Sequence, residues 1–159
     1  MGTKKKDEEE GIKIVCRNKR ATHDYAIEDT LECGVMLTGT EVKSLRDGHA
    51  SIEEAYARLE NGEVWLLASD IPEYTHGNRL NHKPKRPRKL LLHRREIARF
   101  AGKATQRGFT LVPLRLYFKN GKAKVQLAVA RGKQRFDKRE DLKKADAQRD
   151  MQRAMARKR

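Results

Sequence analysis

Hydrophobic and polar positions alternate most regularly between Leu111 and Ala130. Val125, Leu127 and Val129 fall on one face of an extended segment, and Lys124 and Gln126 on the other. An Asn120-Gly121 pair interrupts the pattern and joins Leu111–Phe118 to Ala123–Ala130. Asn61-Gly62 joins Ala55–Leu59 to Val64–Ala68 in the same way. Asn-Gly is the preferred pair for a type I′ turn, whose twist matches the flanking strands, so both segments read as β-hairpins. Pro113 cannot donate to a ladder, which places its strand at an edge or a bulge.

Elsewhere the pattern is shorter. Tyr25–Ile27 and Gly34–Leu37 read as two short strands. Gly39–Gly48 reads as a short helix, with Thr40 as N-cap, Glu41 complementing the positive end of the dipole and Gly48 as the stop. A run from Arg79 to Arg95 carries eight Lys or Arg and no acid, and passes through Leu90-Leu-Leu92. A helical stretch follows from His93 to about Arg107, weakened at Gly102 and closed by Gly108. About six strands, two hairpins and a helix between sheet halves predict a mainly β fold, a small antiparallel barrel. The OB type is the best-known small barrel that binds oligonucleotides, although periodicity alone does not separate it from an SH3-like barrel.

Both ends differ from this body. Residues 1–12 are low-complexity Lys-then-Glu sequence and are expected to be disordered. The barrel is assigned to 13–130. The tail, 131–159, holds twelve cations against five acids, a net +7 of the chain's +15. Leu142, Met151 and Met155 are its only large aliphatic side chains, too few for a docking stripe, and an isolated helix of this length is marginal in water. The tail is therefore expected to be disordered when free and helical when bound.

Charge narrows the function classes. Lys and Arg number 37 against 22 Asp and Glu, so the chain of 159 residues carries +15 and attracts polyanions. Nucleic acid is the leading partner. A membrane partner would need an amphipathic or lipidated anchor. Lys6 stands where a myristoylation motif requires Ser or Thr, and the longest apolar run, Val64–Ala68, is too short to span a bilayer. Cys16 and Cys33 form no metal-like pair, and with no secretory leader evident they suggest a reducing cytoplasm. The five histidines show no ligand spacing, so no metal and no cofactor is expected. A nuclease would want clustered carboxylates or a His pair, and the carboxylates are scattered, so the chain is read as a binding protein rather than an enzyme.

Six strings narrow the reading further. They are Asn18-Lys-Arg-Ala-Thr-His-Asp-Tyr25, Glu32-Cys-Gly34, Gly39-Thr-Glu-Val-Lys-Ser-Leu-Arg46, Pro84-Lys-Arg-Pro-Arg-Lys-Leu-Leu-Leu92, Thr110-Leu-Val-Pro-Leu114, and Arg131-Gly-Lys133 with Asp137-Lys-Arg139. In this order they resemble the SsrA-binding protein family, also called small protein B, over residues 14 to 159. The resemblance implies an OB-like barrel that grips the tRNA-like domain of tmRNA. It also implies trans-translation, in which alanyl-tmRNA is delivered with elongation factor Tu to stalled ribosomes. The tail would then occupy the vacant mRNA channel and the decoding centre of the small subunit. The residues alone leave open a general OB-type RNA-binding or ribosome-associated protein without tmRNA specificity. No oligomerisation stripe is evident, and a monomer is expected.

The resemblance also selects residues. It implies RNA contact at Asn18, beside Lys19 and Arg20, where an amide can bond base or ribose edges and cations can hold phosphates. Glu32 is implied in tmRNA binding, since a carboxylate accepts from exocyclic amines or a 2′-OH. Glu41 is read as structural. Leu91 is implied to help form the RNA surface, with the neighbouring Arg86, Arg88 and Lys89 as phosphate contacts, and Lys124 is expected among the RNA-binding residues. Gly132, Lys133, Phe136, Asp137, Lys138 and Arg139 match positions needed on the ribosome, with Asp137 a candidate cap of the tail helix. Phe136 stands where the family often has His, and Gln134 where it often has Lys. Stacking on a base survives that exchange, whereas protonation of the ring does not.

Overall fold

The computed structural model describes residues 11–77, 81–106, 108–133 and 135–157, and of 135–138 the backbone only. The two hairpins form where the Asn-Gly pairs place them. Asn61 and Gly62 have φ of 51° and 75°, and Asn120 and Gly121 50° and 79°, the left-handed pair that a type I′ turn requires. The first hairpin is β3 (Tyr56–Glu60) and β4 (Glu63–Leu67), and the second is β6 (Phe109–Lys119) and β7 (Lys122–Gly132).

The remaining strands are β1 (Ile12–Arg17), β2 (Tyr25–Val35) and β5 (Arg88–Leu91). Antiparallel pairing runs β6-β3-β4-β5-β2-β7 and returns to β6, closing a barrel of six strands. β1 lies along the free edge of β6 from Arg115 to Lys119. The fold is thus the expected small antiparallel OB-like barrel, with seven strands rather than about six. Val125, Leu127 and Val129 are fully buried, as their alternation predicts, and meet Leu66, Leu90, Leu111 and Phe100 in the core. The register of β6 slips between Pro113 and Arg115, so Pro113 sits at a bulge.

Three strand expectations are corrected. β2 is one strand of 11 residues, not two short pieces. Its exposed Ala26, Glu28, Thr30 and Glu32 alternate with more buried neighbours, so the polar stretch that looked like a break is the outer face of a continuous strand. A bulge between Ile27 and Asp29 accommodates it. β1 has no counterpart in the sequence reading, and buried Ile12, assigned to the disordered N-terminus, belongs to it. Leu37 follows the end of β2 instead of closing a strand.

Among the described residues four helices accompany the barrel. α1 (Lys19–Asp24) is a short helix with no counterpart in the sequence reading. α2 (Gly39–Arg46) buries Glu41, Ser44 and Leu45, one helical face. Its N-cap position is Thr38, not Thr40, whose hydroxyl instead meets His82 Nδ1 at 2.9 Å. α3 (Arg94–Ala104) buries Phe100 and is tied to β2 by Lys103 and Arg99, 3.0 and 3.5 Å from Asp29. α4 (Arg135–Arg157) is the tail. Leu142, Met151 and Met155 are 54%, 61% and 70% exposed, so the helix presents no docked stripe. It forms because the segment is built of Ala, Lys, Arg and Gln without Gly or Pro. The expected disordered N-terminal residues 1–10, Arg79 at the head of the basic run, and Gln134 lie outside the described residues.

Candidate nucleic-acid interface

The outer faces of β5, β2 and β7 meet in a cleft of about 530 Å³ that gathers Glu32, Leu91 and Lys124. Register explains the convergence. Gly34 lies opposite Leu91 on one side and Lys124 on the other, and Glu32 is two residues away on the same face of β2. A Cβ at Gly34 would stand 3.2 Å from Leu91 Cβ and 3.4 Å from its Cδ1, so glycine gives that side chain its seat. Leu91 is 49% exposed, although the default for a leucine in an apolar run is core. Period two decides this: Arg88 and Leu90 point inward and Lys89 and Leu91 outward.

The Glu32 carboxylate is held from one side. Its Oε2 accepts from the Tyr117 hydroxyl and lies 3.5 Å from Lys119 Nζ. Burial works to raise this carboxyl, but the bond from Tyr117 and the charges of Lys119 and Lys124 outweigh it and keep the group below the usual glutamate value. Burial and then Glu32 push the Tyr117 phenol well above its ordinary value. The Arg115 guanidinium stacks 4.7 Å from the Tyr117 ring and donates to Gln126 at 2.9 Å. The carboxylate is therefore ionised and preorganised beside cations as a hydrogen-bond acceptor. Sequence reasoning missed Tyr117. Extending the alternation of β7 across its partner would have placed it opposite Lys124, on the outer face.

The basic run resolves differently from its appearance. Arg88 is fully buried and gives Nε to Glu41 Oε2 at 2.6 Å and Nη1 to the Ser69 hydroxyl and carbonyl at 2.9 and 3.0 Å. Arg86 donates to the other oxygen of Glu41, and Lys89 reaches Glu63 at 2.8 Å. Arg88 is thus not a phosphate contact but a core ion pair that fastens α2 to β5. Glu41, read as structural, is its buried partner. Burial works to raise that carboxyl, while the bonds from Arg88 and Arg86 outweigh it and hold it below the usual range.

Asn18 also turns inward. Only 7% exposed, it caps α1 by accepting from Ala21 N–H at 3.1 Å and donates to the carbonyls of Ile52 and Pro113 at 3.2 and 3.0 Å. Its amide is spent on the fold, and it fixes the start of α1, on which Lys19 and Arg20 are exposed. At the tail, exposed Gly132 ends β7 opposite Tyr25. Lys133 donates its backbone N–H to Asp24 O at 2.9 Å and its Nζ to Thr22 O at 3.0 Å, and pairs with Asp141. Asp137 lies within the first turn of α4 rather than at its cap, and Arg139 is exposed. The side chains of Phe136, Asp137 and Lys138 lie outside the described set.

Both thiols are free. Burial pushes Cys16 up to about 11 and Cys33 to about 12, so they stay protonated at neutral pH. Among the described residues no group of three His, Cys, Asp or Glu could hold a metal ion, and no helix is long and apolar enough to cross a membrane.

Comparison with known proteins decides the family. The model described as SmpB protein matches residues 15–157. The chain belongs to the SmpB family. It is 57% identical over 156 residues to the SsrA-binding protein of Thermobifida fusca, covering 98% of each chain. It is 58% identical over 149 residues to that of Acidothermus cellulolyticus, covering 94% of each. A solved structure described as "tmRNA-SmpB: a journey to the center of the bacterial ribosome" superposes with a TM-score of 0.65 at 48% identity, covering 80% of this chain and 93% of that one.

Proposed function

We propose that this chain binds the tRNA-like domain of tmRNA through its barrel and carries it, with elongation factor Tu, to stalled ribosomes in the cytoplasm. The observation that carries the reading is the gathering of Glu32, Leu91 and Lys124 in one cleft of a cationic barrel. The cleft offers an acceptor for base or ribose donors, an apolar contact for an unstacked base and a cation for phosphate. SmpB relatives named for binding SsrA, and a solved tmRNA-SmpB structure, support it. The exposed cationic helix α4 is the part that would lie in the mRNA channel and decoding centre, aimed from the barrel by Lys133. The protein acts as a monomeric chaperone of the RNA, without chemistry of its own.

Binding to the tRNA-like domain and to an ordinary tRNA across a salt series tests this. Each phosphate neutralised lowers log affinity by ~0.7–0.9 per log unit of salt for both RNAs. The specific complex is expected to keep a large advantage at high salt. Equal binding of the two RNAs would leave only a general RNA-binding protein. Removal of residues 134–159 is expected to preserve RNA affinity and abolish tagging of stalled chains.

A further inference from the structure

Beside the Glu32–Leu91 cleft, the barrel carries a second hollow that the reading above does not use. It has a volume of about 460 Å³ and is lined by Met36, Leu37, Glu63, Trp65, Arg86 and Lys89. Trp65 lies on the outer face of β4, half-buried, while its neighbours Val64 and Leu66 fill the core. Across the strands it is flanked by two cations, Arg58 on β3 and Lys89 on β5. Met36 lies alongside, 53% exposed, its backbone N–H bonded to Lys89 O at 3.0 Å. Among the described residues nothing holds the indole N–H. A tryptophan on the outside of a sheet, edged by a thioether and bracketed by Lys and Arg, has the composition of a stacking platform for nucleic acid.

We infer that Trp65 and Met36 form a second base-binding site, which takes one unstacked nucleobase of the same RNA strand that enters the Leu91 cleft. The inference rests on the RNA-binding reading and extends it. Lys89, which lines this hollow, and Leu91, which lines the other, are two residues apart on β5 and both point outward, ~6.7 Å apart along the strand, so the two hollows adjoin. Lys89 stands between them, placed to meet the intervening phosphate. Its partner Glu63 and the Arg58 partner Glu60 are surface pairs at 2.8 and 3.4 Å. Pairs of that kind are weakly held, so phosphate can take over their cations.

Trp65 is the chain's only tryptophan, so it reports on its own site. The intrinsic emission of the full chain is followed during titration with the tRNA-like domain, while complex formation is read independently by mobility shift. Quenching that tracks the complex is expected. Trp65→Ala is expected to weaken binding about 5- to 150-fold, the range carried by one stacked base, and Trp65→Phe to restore most of it. A complex that forms with emission unchanged and with Trp65→Ala at full affinity overturns this site while leaving the functional reading intact. Failure to form any complex with the RNA overturns the functional reading, and this site with it.

Discussion

Glu41 and Gly34 show how single positions set the two halves of this molecule. Glu41 is fully buried and holds two arginines, one of them equally buried. Removing one partner of such a pair leaves a desolvated charge. Glu41→Gln is therefore expected to lower unfolding free energy by ~3–5 kcal/mol in urea titrations, with much of it recovered by the added change Arg88→Met. A loss under ~1 kcal/mol would mean that the pair is not desolvated. Gly34 acts on the site instead. Gly34→Ala puts a methyl 3.2 Å from Leu91 Cβ, which no rotation of that side chain relieves, so Leu91 must shift by a few tenths of an ångström. Stability is expected to change by less than ~1 kcal/mol, because alanine is favoured over glycine in a strand, while RNA binding weakens. Unchanged RNA affinity would remove Leu91 from the interface.

At the scale of elements, the barrel and α4 obey different rules. β2 and β7 pair over almost their whole length, and the inward residues of β7 are sealed from water. α4 is held at its start by Lys133, through α1 and Asp141, and exposes its few apolar side chains. Such a helix gains little from tertiary packing and opens locally at low cost. Amide exchange in the full chain is expected to be fast along Arg139–Arg157 and slow along Val125–Ala130. The peptide 133–159 is expected to be largely unfolded by circular dichroism in water and to gain helix on adding RNA. Protection of the α4 amides equal to those of β7 would contradict this division. α1 links the two parts, since Asn18 fixes its start to the core and its last carbonyls receive Lys133.

The whole molecule combines a large positive charge with carboxylates that the fold keeps ionised. Asp29 is held below its usual value by the Lys103 bond, and Glu41 and Glu32 by bonds from their cationic and phenolic neighbours, against the opposing effect of burial. A depressed carboxyl binds its proton more readily unfolded than folded. Its contribution is thus present above the unfolded value of about 4 and is lost as pH falls through the folded one. Stability is expected to be flat from pH 7 to about 5 and to fall steeply below about 4.5, with self-repulsion of the +15 chain adding to the fall. Glu41→Gln should flatten that acid limb in urea midpoints taken against pH. A limb unchanged in the variant would assign the acid sensitivity elsewhere.

The sequence by itself determined the hairpins, the inward set of β7, α2 and the cationic character. Each of these is local: a turn needs a left-handed pair, a strand has period two, and charge adds without regard to folding. Family strings carried Glu32 and Leu91 as site residues, and the cleft unites them. Only tertiary structure decided which polar groups face water. Arg88 and Lys89 are adjacent cations in an acid-free run, yet one meets Glu41, 47 positions away, and the other Glu63, 26 away. Asn18 likewise spends its amide on carbonyls 34 and 95 positions distant. Buried polar groups must find partners wherever the chain brings them, and a linear pattern does not contain that pairing.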